Sequence, residues 1–244
     1  MHEIPRRVLV SLPTILGIDL SITNEVVLLW LAALVTFGVL SLAFRRSNPV
    51  PHGVFQNTCE GLLQFVENEV VKGGLGRQGL RWSPFLLSLF FFILFANLLG
   101  MVPLPDFFEA ATSNLSVTAA LALMVFLVTI GVSLRHNGVA GFFKQFLPDG
   151  LPLWVRIMVA PIEIISWLAK PVSLAIRLFA NMMVGHALIF VFIGLILAVK
   201  WFVIVLPLAG AVVMSAFEVF VSFIQAFIFT MLTAIYIKEA IEVH

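Results

Sequence analysis

Long apolar runs, rather than strict alternation, organise this chain. Val26 to Phe44 is free of charge and is closed by Arg45 and Arg46. Trp82 to Pro105 and Ala110 to Leu134 are likewise uncharged, and the link between them holds only Asp106 and Glu109 as charges. From Ile157 to Ile237 the chain is apolar throughout, yet it carries Glu163, Lys170, Arg177, His186, Lys200 and Glu218. A membrane span needs about 20 apolar residues to cross a ~30 Å hydrocarbon core, and in lipid a helix satisfies its own backbone groups. The pattern therefore predicts a first helix over 26–44, a spanning hairpin over 82–135, and two long antiparallel helices within 157–244 joined near Lys200 to Pro207. The fold class is an all-α polytopic membrane protein with about five transmembrane helices.

A different pattern fills 49–81. Phe55, Cys59, Leu62, Val66 and Val70 recur at spacings of three and four against Gln56, Glu60, Gln64, Glu67 and Asn68. This predicts an amphipathic helix lying at the membrane interface, or a helix packed on another subunit. Gly73, Gly74, Gly76 and Gly79 then read as a flexible link.

Composition sharpens the reading. Of 244 residues 61% are hydrophobic, 24 are Phe and 11% are charged, against about 25% charged in a soluble domain. A water-soluble globule is excluded. The net charge of +1 argues against nucleic acid as the main partner, since a basic surface is needed for that. A single cysteine, Cys59, excludes an intrachain disulfide and an all-cysteine metal cage, and no cofactor or metal is expected. Positive charge gathers at Arg45 to Arg81 and at Arg135 to Arg156, while the Asp106 and Glu109 link has none. By the positive-inside rule residues 136–156 form a cytoplasmic loop, residues 1–25 an extracytoplasmic segment, and the C-terminus lies inside. Arg6 and Arg7 before Val8 to Ile18 have the shape of a short signal sequence, but Pro13 interrupts it and it is expected to be retained.

The ionisable residues of the last two helices need a reason to be there, because a charge at the bilayer centre costs about 2.5–3.5 kcal/mol on insertion scales. Arg177 is a fixed cation, since a guanidinium does not deprotonate. At ~1.5 Å and ~100° per residue, Asn181 shares its face one turn on, and His186 lies about 13.5 Å along on the opposite face. Glu218 and Gln225 share a face of the final helix about 10.5 Å apart. With Gln225 level with Arg177, Glu218 falls near the level of His186, making a polar column on the outer side. Glu163 lies about 21 Å to the other side of Arg177. Each has a plainer reading: Asn181 and Gln225 as interhelical hydrogen bonding, His186 and Glu218 as a structural pair, Glu163 as an interfacial carboxylate. Lys170 is expected to snorkel to the cytoplasmic interface.

The run from Lys170 to His186, KPVSLAIRLFANMMVGH, followed by Glu218 and then Gln225-Ala-Phe-Ile-Phe-Thr-Met-Leu-Thr, closely resembles the a subunit (subunit 6) of rotary F-type ATP synthases. The resemblance extends through Asn97 to Pro103 and Ser113 to Thr118 and covers most of the chain from about residue 50. It implies a stator for a ring of c subunits, held with peripheral-stalk b subunits and other ATP synthase subunits in a bacterial inner membrane. It further implies that Arg177 is the essential translocation arginine. Asn181, His186, Glu218 and Gln225 would form an outer half-channel, and Glu163 would belong to a cytoplasmic one. His186 and Glu218 are exchanged relative to several bacterial members, as in mitochondrial-type members. No G-x-x-x-x-G-K-[ST] phosphate loop is present, so the chain is expected to be non-catalytic. The alternative is a stand-alone ion channel or secondary transporter, for which an inverted repeat would speak and none is visible.

Overall fold

A computed structural model of the chain describes residues 8–10, 21–45, 54–101, 111–147, 152–198 and 204–242. Most of the signal-like segment, the link holding Asp106 and Glu109, and Lys200 at the joint of the last two helices lie outside the described residues.

Among the described residues the architecture is helical apart from one short antiparallel pairing of β1 (Val8–Val10) with β2 (Ile22–Thr23). Helix α1 runs Asn24–Arg45, α2 Val54–Val66, α3 Ser83–Gly100, α4 Leu115–Lys144, α5 Leu153–Ala198 and α6 Val205–Ile241. Five of these, all but α2, are long and apolar enough to cross a membrane, and the chain is a multi-pass membrane protein. Lipid tolerates the large apolar side chains they leave outside, such as Ile162, Ile165, Val172 and Ile176 on α5.

Two expectations change. The glycine-rich stretch is not an open link: a π-helix over Glu67–Leu75 and a 3₁₀ turn over Gly76–Arg81 carry α2 directly to α3. Its glycines serve close packing, since a Cβ on Gly79 would stand 2.6 Å from the Val71 carbonyl oxygen. The loop after α4 is also more helical than its polarity suggested. The helix runs on through Arg135 to Lys144, bent at Gly138, whose φ of 68° and ψ of 178° suit glycine alone.

The chain forms two compact units. The first comprises residues 1–60, 91–114 and 180–226, and the second residues 61–90, 115–179 and 227–244. In the first, Phe91, Ile93, Asn97, Thr112, Met182, Glu218, Ser222 and Gln225 are buried. In the second, Val66, Val70, Leu86, Phe90, Leu174, Phe229 and Ile237 are buried. There Trp167 of α5 meets three rings of α4 and its C-terminal end, Phe126, Phe142 and Phe146, at centroid distances of 4.4, 5.6 and 5.5 Å. Aromatic contacts of this kind hold helices together where lipid removes the hydrophobic drive.

Candidate functional site

Four buried polar side chains of α5 and α6, His186, Glu218, Ser222 and Gln225, lie in the first unit. Asn181 Nδ2 donates to Gln225 Oε1 at 2.5 Å, with Gln225 fully buried. Further along α5, His186 Nε2 stands 4.0 Å from Glu218 Oε1. Glu218 is 4% exposed, and neither of its carboxylate oxygens has a hydrogen-bond partner among the described residues. Buried Ser222 lies between the two pairs on α6, its hydroxyl 3.9 Å from Met101 Sδ and 4.0 Å from Met182 Sδ.

The register follows from these pairs. Gln225 is level with Asn181, one turn beyond the level of Arg177 that the spacing suggested. The residue steps of five on α5 and seven on α6 then carry the file about 7–10 Å onward to His186 and Glu218. Asn181 must sit on the inner face of α5 for this, and the spacing of Leu174, Leu178 and Met182, all buried, sets that face.

Gly185 completes the arrangement, and its role is not readable from spacing. A Cβ there would stand 2.6 Å from Glu218 Oε1, so a side chain at this position would require the carboxylate to shift. The one sequence hint is its position beside His186.

The second unit holds the other candidates. Arg177 is half-buried on α5, four residues before Asn181 on the same continuous helix, and engages no hydrogen bond or ion pair among the described residues. Glu163 is exposed on α5, also without such a partner among the described residues. Lys170 does not simply snorkel. Its ammonium forms an ion pair with Glu239 of α6 and stands 5.3 Å from the centre of the Tyr236 ring. Glu239 near the chain's end escaped the sequence reading because its partner lies 69 residues away. Ser133, Gln145 and Trp167 line a small chamber beside this pair, and Ser133 Oγ and Gln145 Nε2 have no partner there among the described residues.

The chemistry available is that of proton handling. A buried carboxylate and an imidazole can bind and release protons, two amides can hydrogen-bond beside them, and a fixed guanidinium on the same helix acts on anions. No group of three or more metal-ligating side chains occurs among the described residues.

Comparison with known proteins decides the family. The model of the ATP synthase A chain family matches residues 26–238. The chain belongs to this family. ATP synthase subunit a of Anaplasma marginale (strain St. Maries) is 40% identical over 236 residues, covering 97% of this chain and 95% of that protein. The subunit a of Magnetococcus marinus is 40% identical over 233 residues, covering 94% and 88%. That of Hyphomonas neptunium is 40% identical over 232 residues, covering 93% and 89%. Membership and the five apolar helices make this chain a membrane-sector subunit of an ATP synthase, with other subunits of that complex as its partners.

Proposed function

We propose that the chain is the stator against which a ring of c subunits turns, and that it offers two offset half-channels through which protons reach and leave the ring. The observation that supports this best is the buried file of α5 and α6, Asn181 with Gln225 and His186 with Glu218, on the helix that also carries Arg177.

A rotor carboxylate crosses lipid only when protonated, because its ion meets the full desolvation penalty. On reaching Arg177 the anionic form is stabilised by a cation that cannot discharge itself. The proton leaves into one half-channel, and another arrives from the second before the carboxylate re-enters lipid. Asn181, His186, Glu218 and Gln225 form the outer path in this reading, and Glu163 stands near the cytoplasmic exit. Arg177 between the paths opposes direct leakage by its fixed positive charge. Each proton supplies about 2.3 kcal/mol per 100 mV, so several must be gathered mechanically for one ATP. The catalytic chemistry sits on partner subunits, and b subunits hold the chain against rotation. The membrane is the bacterial inner membrane, with the N-terminus outside and the C-terminus in the cytoplasm.

Arg177→Ala in reconstituted vesicles tests the reading. ATP-driven proton pumping is expected to be lost, and pumping at the unmodified rate would refute the role.

A further inference from the structure

The second unit holds a chamber of about 50 Å³ lined by α4, α5 and α6, beside the Lys170–Glu239 pair. One water molecule needs about 10–15 Å³ of such space, and an apolar cavity that takes benzene measures about 150 Å³. There is room for a few waters, but not for a lipid headgroup or a ring. The walls are mostly apolar, with Phe126, Phe142 and Leu174 among them, yet polar groups line the space from more than one helix. Ser133 on α4 is 2% exposed, and its Oγ has no hydrogen-bond partner among the described residues. Gln145, just past the end of α4, has a buried Nε2 that also lacks one there. Thr129 makes the contrast: it lines the same chamber, but its hydroxyl donates to the Val125 carbonyl at 2.9 Å.

α5 adds a backbone acceptor. Pro171 has no N–H and cannot donate to the Trp167 carbonyl four residues back, and both residues line the chamber. In membrane helices, carbonyls released by proline are among the groups that ordered water satisfies. The Lys170 ammonium carries three donors, of which Glu239 accepts one. A water here thus has the two to four polar partners that a buried water needs. The end of α4 is also tied to α6 directly. Asn137, just ahead of the bend at Gly138, donates through Nδ2 to the Ala240 carbonyl at 2.8 Å, one of the last carbonyls of α6 and so without a partner inside that helix.

We propose that the chamber is a water site, in which a few ordered waters join Ser133 and Gln145 to the Trp167 carbonyl and the Lys170 ammonium. They complete the clamp that Asn137 begins between α4 and the end of α6. Lys170 is seven residues before Arg177 on α5, so the clamp braces the stretch of helix that carries the arginine. The water site stands without the stator reading, whereas the bracing of Arg177 bears on proton transfer only through it.

Three measurements on the assembled complex test this. A high-resolution map is expected to show water-sized density within hydrogen-bonding distance of Ser133 Oγ and Gln145 Nε2. A chamber without density, in a map that shows waters elsewhere in the membrane sector, would overturn the proposal. So would the elongated density of a lipid or detergent tail, or density that strengthens when bromide replaces chloride and thereby marks an anion.

Ser133→Ala and Gln145→Met supply the second measurement. Removing an orphaned polar group from a dry chamber stabilises, whereas removing a partner of a bound water destabilises. Each variant is therefore expected to inactivate on heating roughly two- to tenfold faster, the worth of one hydrogen bond. Because both side chains hold the same waters, the double variant should lose less than the product of the two effects. Unchanged or slower inactivation of both variants, or strictly multiplicative effects, would overturn the proposal.

The third measurement is the number of protons pumped per ATP hydrolysed. The double variant is expected to pump fewer, since α5 is held less firmly beside Arg177, and an unaltered ratio would overturn the bracing. Arg177→Ala run alongside separates the failures. Coupled pumping in that variant refutes the stator reading, while the water site is still decided by the map and the heating series.

Discussion

A Cβ on Gly185 would stand 2.6 Å from Glu218 Oε1 and 2.9 Å from its carboxyl carbon, so the carboxylate of α6 occupies the space that any side chain on this part of α5 would fill. The same carboxylate oxygen, Oε1, stands 4.0 Å from His186 Nε2.

Gly185→Ala is accordingly expected to push Glu218 out of its place, with an overpacking cost of about 1–3 kcal/mol. Proton-coupled ATP synthesis should fall, while ATP hydrolysis by the detached catalytic sector is untouched. Shortening the acid with Glu218→Asp on the Gly185→Ala background should recover part of the coupling. Thermal inactivation and proton flux, measured on all three variants, check the relationship.

The Asn181 and Gln225 amides make a second measurable pair. Asn181→Leu leaves Gln225 buried with a further unsatisfied group, at a cost of about 1–3 kcal/mol. Gln225→Leu frees the amide of Asn181, which is only half-buried and should cost less. The double variant should cost less than the sum, with a coupling of about 0.5–1.5 kcal/mol, as for other interhelical hydrogen bonds in membranes. A double-mutant cycle on the melting of the purified complex supplies the number, and strict additivity would contradict the contact.

Cys59 offers a pH test outside the spanning helices. It is buried on α2, and burial pushes its thiol pKa up. A raised thiol pKa means less thiolate at any given pH, and the thiolate is the reactive form. Alkylation of native membranes by a water-soluble maleimide is therefore expected to be slow at neutral pH and to accelerate as the pH rises past the usual thiol range. Denatured protein should react several-fold faster at neutral pH. Equal rates in the native and denatured states would contradict the burial.

The spanning helices were legible because lipid imposes a simple rule, some twenty apolar residues per crossing, and 26–44 or 82–105 satisfies it by composition alone. Arg177, His186, Glu218 and Gln225 were legible for the converse reason: polar groups in such runs are costly and stand out. Gly185 did not stand out, since a missing side chain leaves no mark in a hydrophobic pattern. Neither did Glu25, whose partner Asn114 lies 89 positions away along the chain. The glycines from Gly73 to Gly79 pointed toward flexibility, but their lack of a Cβ also permits the close approach to Val71 that is found.

What the sequence determined by itself, then, is the number and hydrophobicity of the helices, and which ionisable residues the last two carry. These depend on local composition and on a helical period of 3.6 residues. The tertiary structure decided the partners: Gln225 with Asn181, Lys170 with Glu239, Glu25 with Asn114. Each joins positions tens of residues apart, and a shift of one turn between neighbouring helices changes such partners while leaving every helix equally apolar. Packing at close-approach points such as Gly185 against Glu218 selects one register among those the pattern allows.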